Sequence, residues 1–211
     1  MKTRINRRQF IKAAGLGAAV LAAPGCLDAA GQFSGNNTGK KPNIILIMAD
    51  DIGYECFGCY GSKSYKTPVL DELAQTGVRF EHCYSQPLCT PSRVKIMTGQ
   101  YNFRNYVNFG VLDPKQKTFG HMLRNRGYAT CVVGKWQLYG SVNQGTQVRG
   151  TGSLPEQAGF DEHCLWQVKE RGLRYKNPLM IQNGKRRDDL QGKYGPDVSC
   201  DYALDFIERH K

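Results

Sequence analysis

From Asn43 to Ala49 the chain reads NIILIMA, an apolar run without polar alternation, bounded by Pro42 and by Asp50-Asp51. A continuous run rich in β-branched residues predicts a central parallel strand buried on both faces. Thr67 to Ala74 (TPVLDELA) opens with a capping residue and a proline, places apolar side chains at helical spacing and stops at Gly77, which predicts a helix. Val78 to Tyr84 predicts a strand. In SQPLCTPSRVKIMTGQY, Ser85 to Tyr101, Pro91 suits a first helical turn, and Val94, Ile96 and Met97 supply a buried face. A helix over Pro91 to Gln100 follows, with Cys89 at or just before its N-terminus. Thr118 to Arg126 predicts a Thr-capped helix ended by Gly127, and Ala129 to Val133 a strand after it.

Beyond these elements, Gly140 to Gly152 is polar and Gly-rich and reads as a long surface loop. Phe160 to Trp166 predicts another strand. Tyr175 to Pro196 is polar and basic and reads as irregular. Asp197 to Lys211 is helical in pattern through Tyr202, Ala203, Phe206 and Ile207. Strands alternating with helices predict an α/β fold, a mainly parallel sheet flanked by helices, with ligands at the carboxyl ends of its strands. The last helix has no strand after it to close the unit, so the sheet reads as incomplete at the C-terminus.

The N-terminus changes the picture of charge. The 211 residues carry a formal charge of +11, but residues 1–41 hold seven Lys and Arg against Asp28 alone, leaving a net +5 on the remainder. That modest balance fits an acidic substrate, and no basic stripe interleaved with aromatics points to nucleic acid. MKTRINRRQFIKAAGLGAAVLAAPGC has a basic start, a short Ala/Gly-rich apolar segment and then Pro-Gly. It is too short and too weakly apolar for a permanent membrane helix. Arg7-Arg8-Gln9-Phe10-Ile11-Lys12 resembles a twin-arginine export signal. Residues 1–26 therefore read as an export signal, 27–41 as a flexible linker and 42–211 as the globular part. The expected location is periplasmic or in the cell envelope, after passage through the twin-arginine export machinery. Cys26 is a candidate lipid-attachment site, although Ala23-Pro24-Gly25 lacks the usual upstream leucine.

Eight cysteines in an exported chain suggest disulfides. Twin-arginine cargo folds first in a reducing cytosol, which weakens that expectation. Cys56-Phe57-Gly58-Cys59 has zinc or redox spacing, but no second pair completes a tetrahedral site. Cys131, inside an apolar run, reads as a core residue.

Three features carry chemistry. Asp50 and Asp51 are adjacent carboxylates directly after the first apolar run, and a hard cation would offset their repulsion. Cys89 stands where unpaired helix amides favour negative charge, with Arg93 one turn on. Gly134-Lys135-Trp136 closes the Ala129–Val133 strand, so Lys135 points into the same crevice. Each alone also has a plain structural reading: a polar turn, a buried thiol, a solvated lysine.

Together they carry a resemblance. PNIILIMADDIGY, GCYG, TPVLDELAQTGVRFEHCYS, CTPSR, TGQY, GYATCVVGKWQL and GFDE occur in the order seen in the formylglycine-dependent sulfatases of the alkaline-phosphatase superfamily. The resemblance runs from Pro42 to Lys211 and implies the N-terminal part of a sulfatase catalytic domain. It implies that a maturation enzyme oxidises Cys89 to formylglycine, whose hydrated aldehyde is the nucleophile. It implies that Arg93 steadies that diol and that Lys135 contacts both sulfate and diol. Asp50 and Asp51, with the group derived from Cys89, match ligands of a divalent cation, usually calcium, with magnesium as the alternative. The implied reaction is hydrolysis of a sulfate ester on a small molecule or glycan, through a covalent sulfoenzyme.

Two departures stand out. The family pattern Gly-Lys-Trp-His has Gln137 in the histidine slot. The family's remaining metal ligands and further His and Lys contacts lie in a C-terminal half that this chain lacks, so the 211 residues by themselves are expected to be inactive. Two other readings stay open: a formylglycine enzyme acting on phosphate or phosphonate esters, and a truncated, inactive remnant of the family.

Overall fold

The computed structural model describes residues 41–142 and 145–211. The export signal, most of the linker and Cys26 lie outside the described residues. The chain divides into two units, Met1–Leu46 and Ile47–Lys211. In the first, residues 41–46 have no regular structure, and Ile44, Ile45 and Leu46 are exposed.

The expected first strand is not formed. Residues 41–49 are irregular and Ile47 is 79% exposed. An apolar run becomes a central strand only when neighbours on both sides take its N–H and C=O groups, and no described strand pairs with this one. The expected strand at Val78–Tyr84 is absent for the same reason, with Val78, Phe80 and Tyr84 exposed.

The helices follow the sequence closely. Helix α1 is Pro68–Thr76, stopped at Gly77. Helix α2 is Cys89–Thr98, two residues longer at its start than the proline suggests, and ends at Gly99 in the left-handed conformation. A short turn, α3, follows at Asn102–Asn105. Helix α4, Phe119–Asn125, is held by a capping box in which Thr118 and His121 satisfy each other's backbone N–H. Helix α5 is Gly195–His210.

The sheet has four strands in the order β1 (Cys131–Lys135), β2 (Glu162–Trp166), β3 (Ile181–Gln182) and β4 (Lys185–Arg186). Only β1 and β2 are parallel, in register from Cys131 opposite Glu162 to Lys135 opposite Trp166. The pairs β2–β3 and β3–β4 are antiparallel. Among the described residues the longest ladder is thus the parallel one, and an antiparallel hairpin is added at its edge. The reason is local. Asn183 and Gly184 take φ of 47° and 82°, the two-residue turn whose twist suits a tight hairpin, and β3 and β4 fold back antiparallel inside the stretch expected to be irregular.

Packing on the sheet fixes the ends of β1 and β2. Trp136, Leu138, Phe160, Leu165, Val94 and Leu112 form the main apolar cluster. Trp136 and Phe119 both meet Phe160 edge-on, at ring-centre distances of 6.2 and 5.8 Å, a preferred aromatic geometry. Val94 brings α2 into this cluster, so the start of α2 and the end of β1 share one core. A second cluster of Cys164, Trp166, Met180 and Leu190 receives Val198 and Tyr202 of α5. Burial pushes the Cys131 thiol up to about 12 and the Cys164 thiol up to about 11, so both behave as apolar packing groups. Arg209 of α5 clasps Glu162 of β2 with bonds of 2.9 and 2.7 Å and holds its carboxyl down at about 2.

Candidate active site

Cys89 is the first residue of α2, preceded by Leu88 in an extended conformation. Two buried hydroxyls pin this turn. Ser92 Oγ accepts from the Gln86 N–H at 3.0 Å and donates to the Leu88 carbonyl at 2.9 Å, and Thr90 Oγ1 accepts from the Gly110 N–H at 3.0 Å. The side chain of Cys89 reaches Gln137, with Sγ donating to Oε1 at 3.0 Å.

Gln137 is itself tightly placed. It is buried, lies two residues beyond β1, and has a φ of 55°, a left-handed conformation uncommon outside glycine. Its N–H donates to the carbonyl of Gln167, which follows β2 and has a matching φ of 59°. The two parallel strands thus leave the sheet in concert, and the turn aims Gln137 at the N-terminus of α2.

Asp50 is the electrostatic centre. Arg93 Nη2 donates to Oδ1 at 3.1 Å, Lys135 Nζ lies 3.2 Å from both carboxylate oxygens, and Arg174 Nη1 donates to Oδ2 at 2.9 Å. The side chains of Asp50, Lys135 and Arg93 are 7%, 8% and 11% exposed, and that of Arg174 is 30% exposed. Burial pushes the Asp50 carboxyl up, but hydrogen bonds and charge from Arg93 and Lys135 outweigh it and hold it below the ordinary carboxylate value. Arg93 also donates from Nη1 to the Lys135 carbonyl at 2.7 Å, which ties α2 to the end of β1. Its Nε is buried with no hydrogen-bond partner among the described residues.

Asp51 is exposed, with φ 57°. It lines a cleft of about 240 Å³ together with Lys135, Gln137, Trp166, Arg171 and Arg174. The structure thus forms two bonded sets, Asp50 with Arg93, Lys135 and Arg174, and Cys89 with Gln137; Cys89 and Arg93 share α2, Gln137 lies two residues beyond Lys135, and Asp51 lines the cleft. Arg174 was not foreseen. It comes from a polar segment with no helical or strand periodicity, and nothing in residue spacing links it to Asp50.

The donor chemistry at Asp50 and Asp51 suits a hard cation, because both offer carboxylate oxygens only. Calcium takes about six to eight oxygens, and among the described residues no group of three or more His, Cys, Asp or Glu is gathered. Asp51 on the cleft could supply part of such a shell, and Asp50 could join it once the cation takes the place of one of its side-chain partners.

The sulfatase family model matches residues 42–210. The chain belongs to the sulfatase family. The sulfatase chain is 40% identical to the steryl-sulfatase of Mus musculus over 139 residues, covering 58% of this chain and 21% of that protein. It is 31% identical to the N-acetylglucosamine-6-O-sulfatase of Bacteroides thetaiotaomicron over 172 residues, covering 80% of this chain and 28% of that protein. This sulfatase chain thus spans between a fifth and a third of the length of these two relatives. Among solved structures it is similar to Ps i-CgsB, with a TM-score of 0.67, 28% identity and coverage of 81% of this chain and 42% of that one. It is also similar to BT4656, solved with its substrate D-glucosamine-2-N,6-O-disulfate, with a TM-score of 0.66, 29% identity and coverage of 82% and 32%. The α/β layers described above are those of the alkaline-phosphatase-like sulfatase fold.

Proposed function

We propose that this chain contributes the nucleophile, the sulfate-binding cations and part of the metal site of an exported sulfuric ester hydrolase. The observation that carries the reading is the arrangement on α2 and β1. A guanidinium and an ammonium are held around the buried Asp50 carboxylate, and Cys89, on the same helix as Arg93, reaches Gln137, two residues beyond Lys135.

A sulfate ester resists attack because its oxygens repel nucleophiles, and a site that hydrolyses it needs fixed positive charge where negative charge accumulates. Lys135 and Arg93 supply that charge, and Asp50 sets their positions in advance so that little reorganisation accompanies binding. The open N–H groups at the start of α2 add a partial positive charge beside residue 89. Oxidised to formylglycine, Cys89 would supply a hydrated aldehyde as a nucleophile available near neutral pH. Gln137 orients the group at position 89 by accepting its hydrogen bond, and its amide cannot take up a proton. Asp50 and Asp51 are the residues that would hold calcium or magnesium, which would add Lewis acidity toward a sulfate oxygen.

Several further features belong to this proposal. The twin-arginine-like leader supports export to the periplasm or cell envelope. The relative acting on N-acetylglucosamine 6-O-sulfate and the neighbour solved with a glucosamine disulfate support a sulfated glycan as substrate. A formylglycine-generating enzyme is the implied maturation partner. The deciding experiment expresses the complete reading frame with that enzyme and compares nitrophenyl sulfate with nitrophenyl phosphate. Faster hydrolysis of the sulfate supports the proposal. A preference for the phosphate replaces it with the phosphoesterase reading, and turnover of neither ester favours the inactive remnant.

A further inference from the structure

We infer that Gln167 binds the sulfate itself, its carboxamide N–H donating to an oxygen of the sulfate held against position 89. This rests on the sulfatase reading above and adds a binding residue to it.

The first argument is an unspent donor. Gln137 and Gln167 are 7% and 5% exposed, and both line the cleft. Gln137 Oε1 accepts from Cys89 Sγ, whereas the Gln137 amide nitrogen and the whole Gln167 carboxamide make no hydrogen bond among the described residues. Fully enclosed side-chain atoms without a partner are Arg93 Nε and Asn102 Oδ1 among those residues. The little surface that Gln167 keeps therefore includes its amide atoms, and it opens on the cleft. A carboxamide carries two donors and an acceptor, and holding it unpaired in a protein wall works against folding.

The second argument is placement. The parallel pairing of β1 and β2 continues past the strand ends, with the Trp136 N–H donating to the Trp166 carbonyl and the Gln137 N–H to the Gln167 carbonyl, both at 3.0 Å. Neighbouring strands lie about 4.8 Å apart, so the two glutamines stand side by side on one wall, with Lys135 on the same cleft. A sulfur attacked from position 89 has to come within about 3–3.5 Å of the attacking atom. That brings the sulfate oxygens to Gln137, which touches Cys89, and to its neighbour Gln167. In an in-line displacement the alcohol departs on the face away from the nucleophile. The amides beside position 89 thus meet sulfate oxygens and not the alcohol.

The third argument is rigidity. Gln167 holds a φ of 59°, a conformation uncommon for a residue with a Cβ. Trp166 donates from its indole N–H to the Gly172 carbonyl at 3.3 Å, which folds the loop that begins at Gln167 back over the ring, and the Arg174 guanidinium covers that ring at 5.1 Å. The turn is kept in its strained form by its surroundings, and a donor fixed in advance loses little freedom on binding.

Inorganic sulfate is the probe, because it carries no alcohol. Calorimetry on the complete reading frame with Cys89→Ala gives its affinity, and the same protein with Gln167→Met gives the effect of removing the amide at nearly constant length. Binding is expected to weaken about 10- to 100-fold, the range for a hydrogen bond to a charged group. The urea midpoint is expected to stay or rise, since no bond within the protein is lost and a polar group leaves a buried wall. A lowered midpoint would mark the amide as structural and overturns the inference. Gln167→Glu sets a carboxylate of almost the same shape against the anion and should abolish sulfate binding. Unchanged sulfate affinity in either variant overturns the inference, as does no sulfate binding by the Cys89→Ala protein. A loss confined to nitrophenyl sulfate also overturns it, because it places Gln167 against the alcohol. Gln167-dependent sulfate binding in a protein that hydrolyses no sulfate ester would sink the sulfatase reading and leave the sulfate contact standing.

Discussion

Asp50→Asn is the perturbation that tests the electrostatic centre most directly. It leaves shape almost unchanged and removes the one negative charge shared by Arg93, Lys135 and Arg174. With Asp50, Lys135 and Arg93 no more than 11% exposed, the loss falls in the range for breaking a buried ion pair from one side, about 3–5 kcal/mol. The more exposed Arg174 pair adds little, roughly 0–1 kcal/mol. At a urea slope of about 1–3 kcal/mol per molar, the unfolding midpoint drops on the order of 2 M. Trp136 and Trp166 are both buried and report unfolding by fluorescence. Measurement in EDTA keeps any added cation out of the comparison. A double variant, Asp50→Asn with Lys135→Met, removes one of the stranded cations and recovers part of the loss. A midpoint within about 0.3 M of the unaltered chain, or a double variant less stable than the single one, would refute the reasoning.

Peptide mass spectrometry of protein made with a formylglycine-generating enzyme should show an aldehyde in place of the Cys89 thiol, and Cys89→Ala should abolish ester turnover while the circular dichroism stays unchanged. Gln137→His would place a proton acceptor against position 89. A general base contributes roughly 10²–10⁴ in rate, so turnover should rise and any burst in the unaltered enzyme should disappear; an unchanged steady-state rate would show that proton uptake at this position does not limit turnover. His163 gives a pH prediction. It is buried, its Nε2 accepts from the Gly184 N–H at 3.0 Å, and burial holds its pKa below the ordinary value of 6.5. Because the unfolded chain takes the proton first, its contribution is complete above pH 6.5 and declines as pH falls below that value. The urea midpoint should fall more between pH 7.5 and 5.5 in the unaltered chain than in His163→Gln, and parallel slopes would contradict the assignment.

The helices were legible because their signals are local. Thr118 and Gly77 act on their own turns, and each stands where the structure uses it, whereas Gly99 ends its helix two residues before the expected Gln100. The apolar runs at 43–49 and 78–84 misled because composition records what a segment could bury and says nothing of the strand beside it. The β3–β4 hairpin was missed although Asn183-Gly184 is a strong turn signal, because two-residue strands leave no period to detect. At the site, ordered motifs pointed to Asp50, Cys89, Arg93, Lys135 and Gln137, of which the structure bonds Asp50 with Arg93 and Lys135, and Cys89 with Gln137. Arg174 escaped notice, since its role arises from the loop that folds over Trp166. Asp50 is also bonded by three side-chain cations, Arg93, Lys135 and Arg174, a grouping that residue spacing does not reveal.

The backbone of Gln137 sets two selective pressures against each other. A non-glycine residue at φ 55° carries a conformational penalty of about 1–2 kcal/mol, and a glycine at this position would be free of it. A random search for thermostable variants should therefore enrich Gln137→Gly, and in doing so would delete the only side chain bonded to Cys89 among the described residues. Asparagine and histidine tolerate this conformation better than glutamine, which opens a narrow route by which a lineage can relax the turn while keeping a polar group beside position 89. Position 137 is thus a point where stability and activity trade against each other, and screens that score only melting temperature would select the wrong residue.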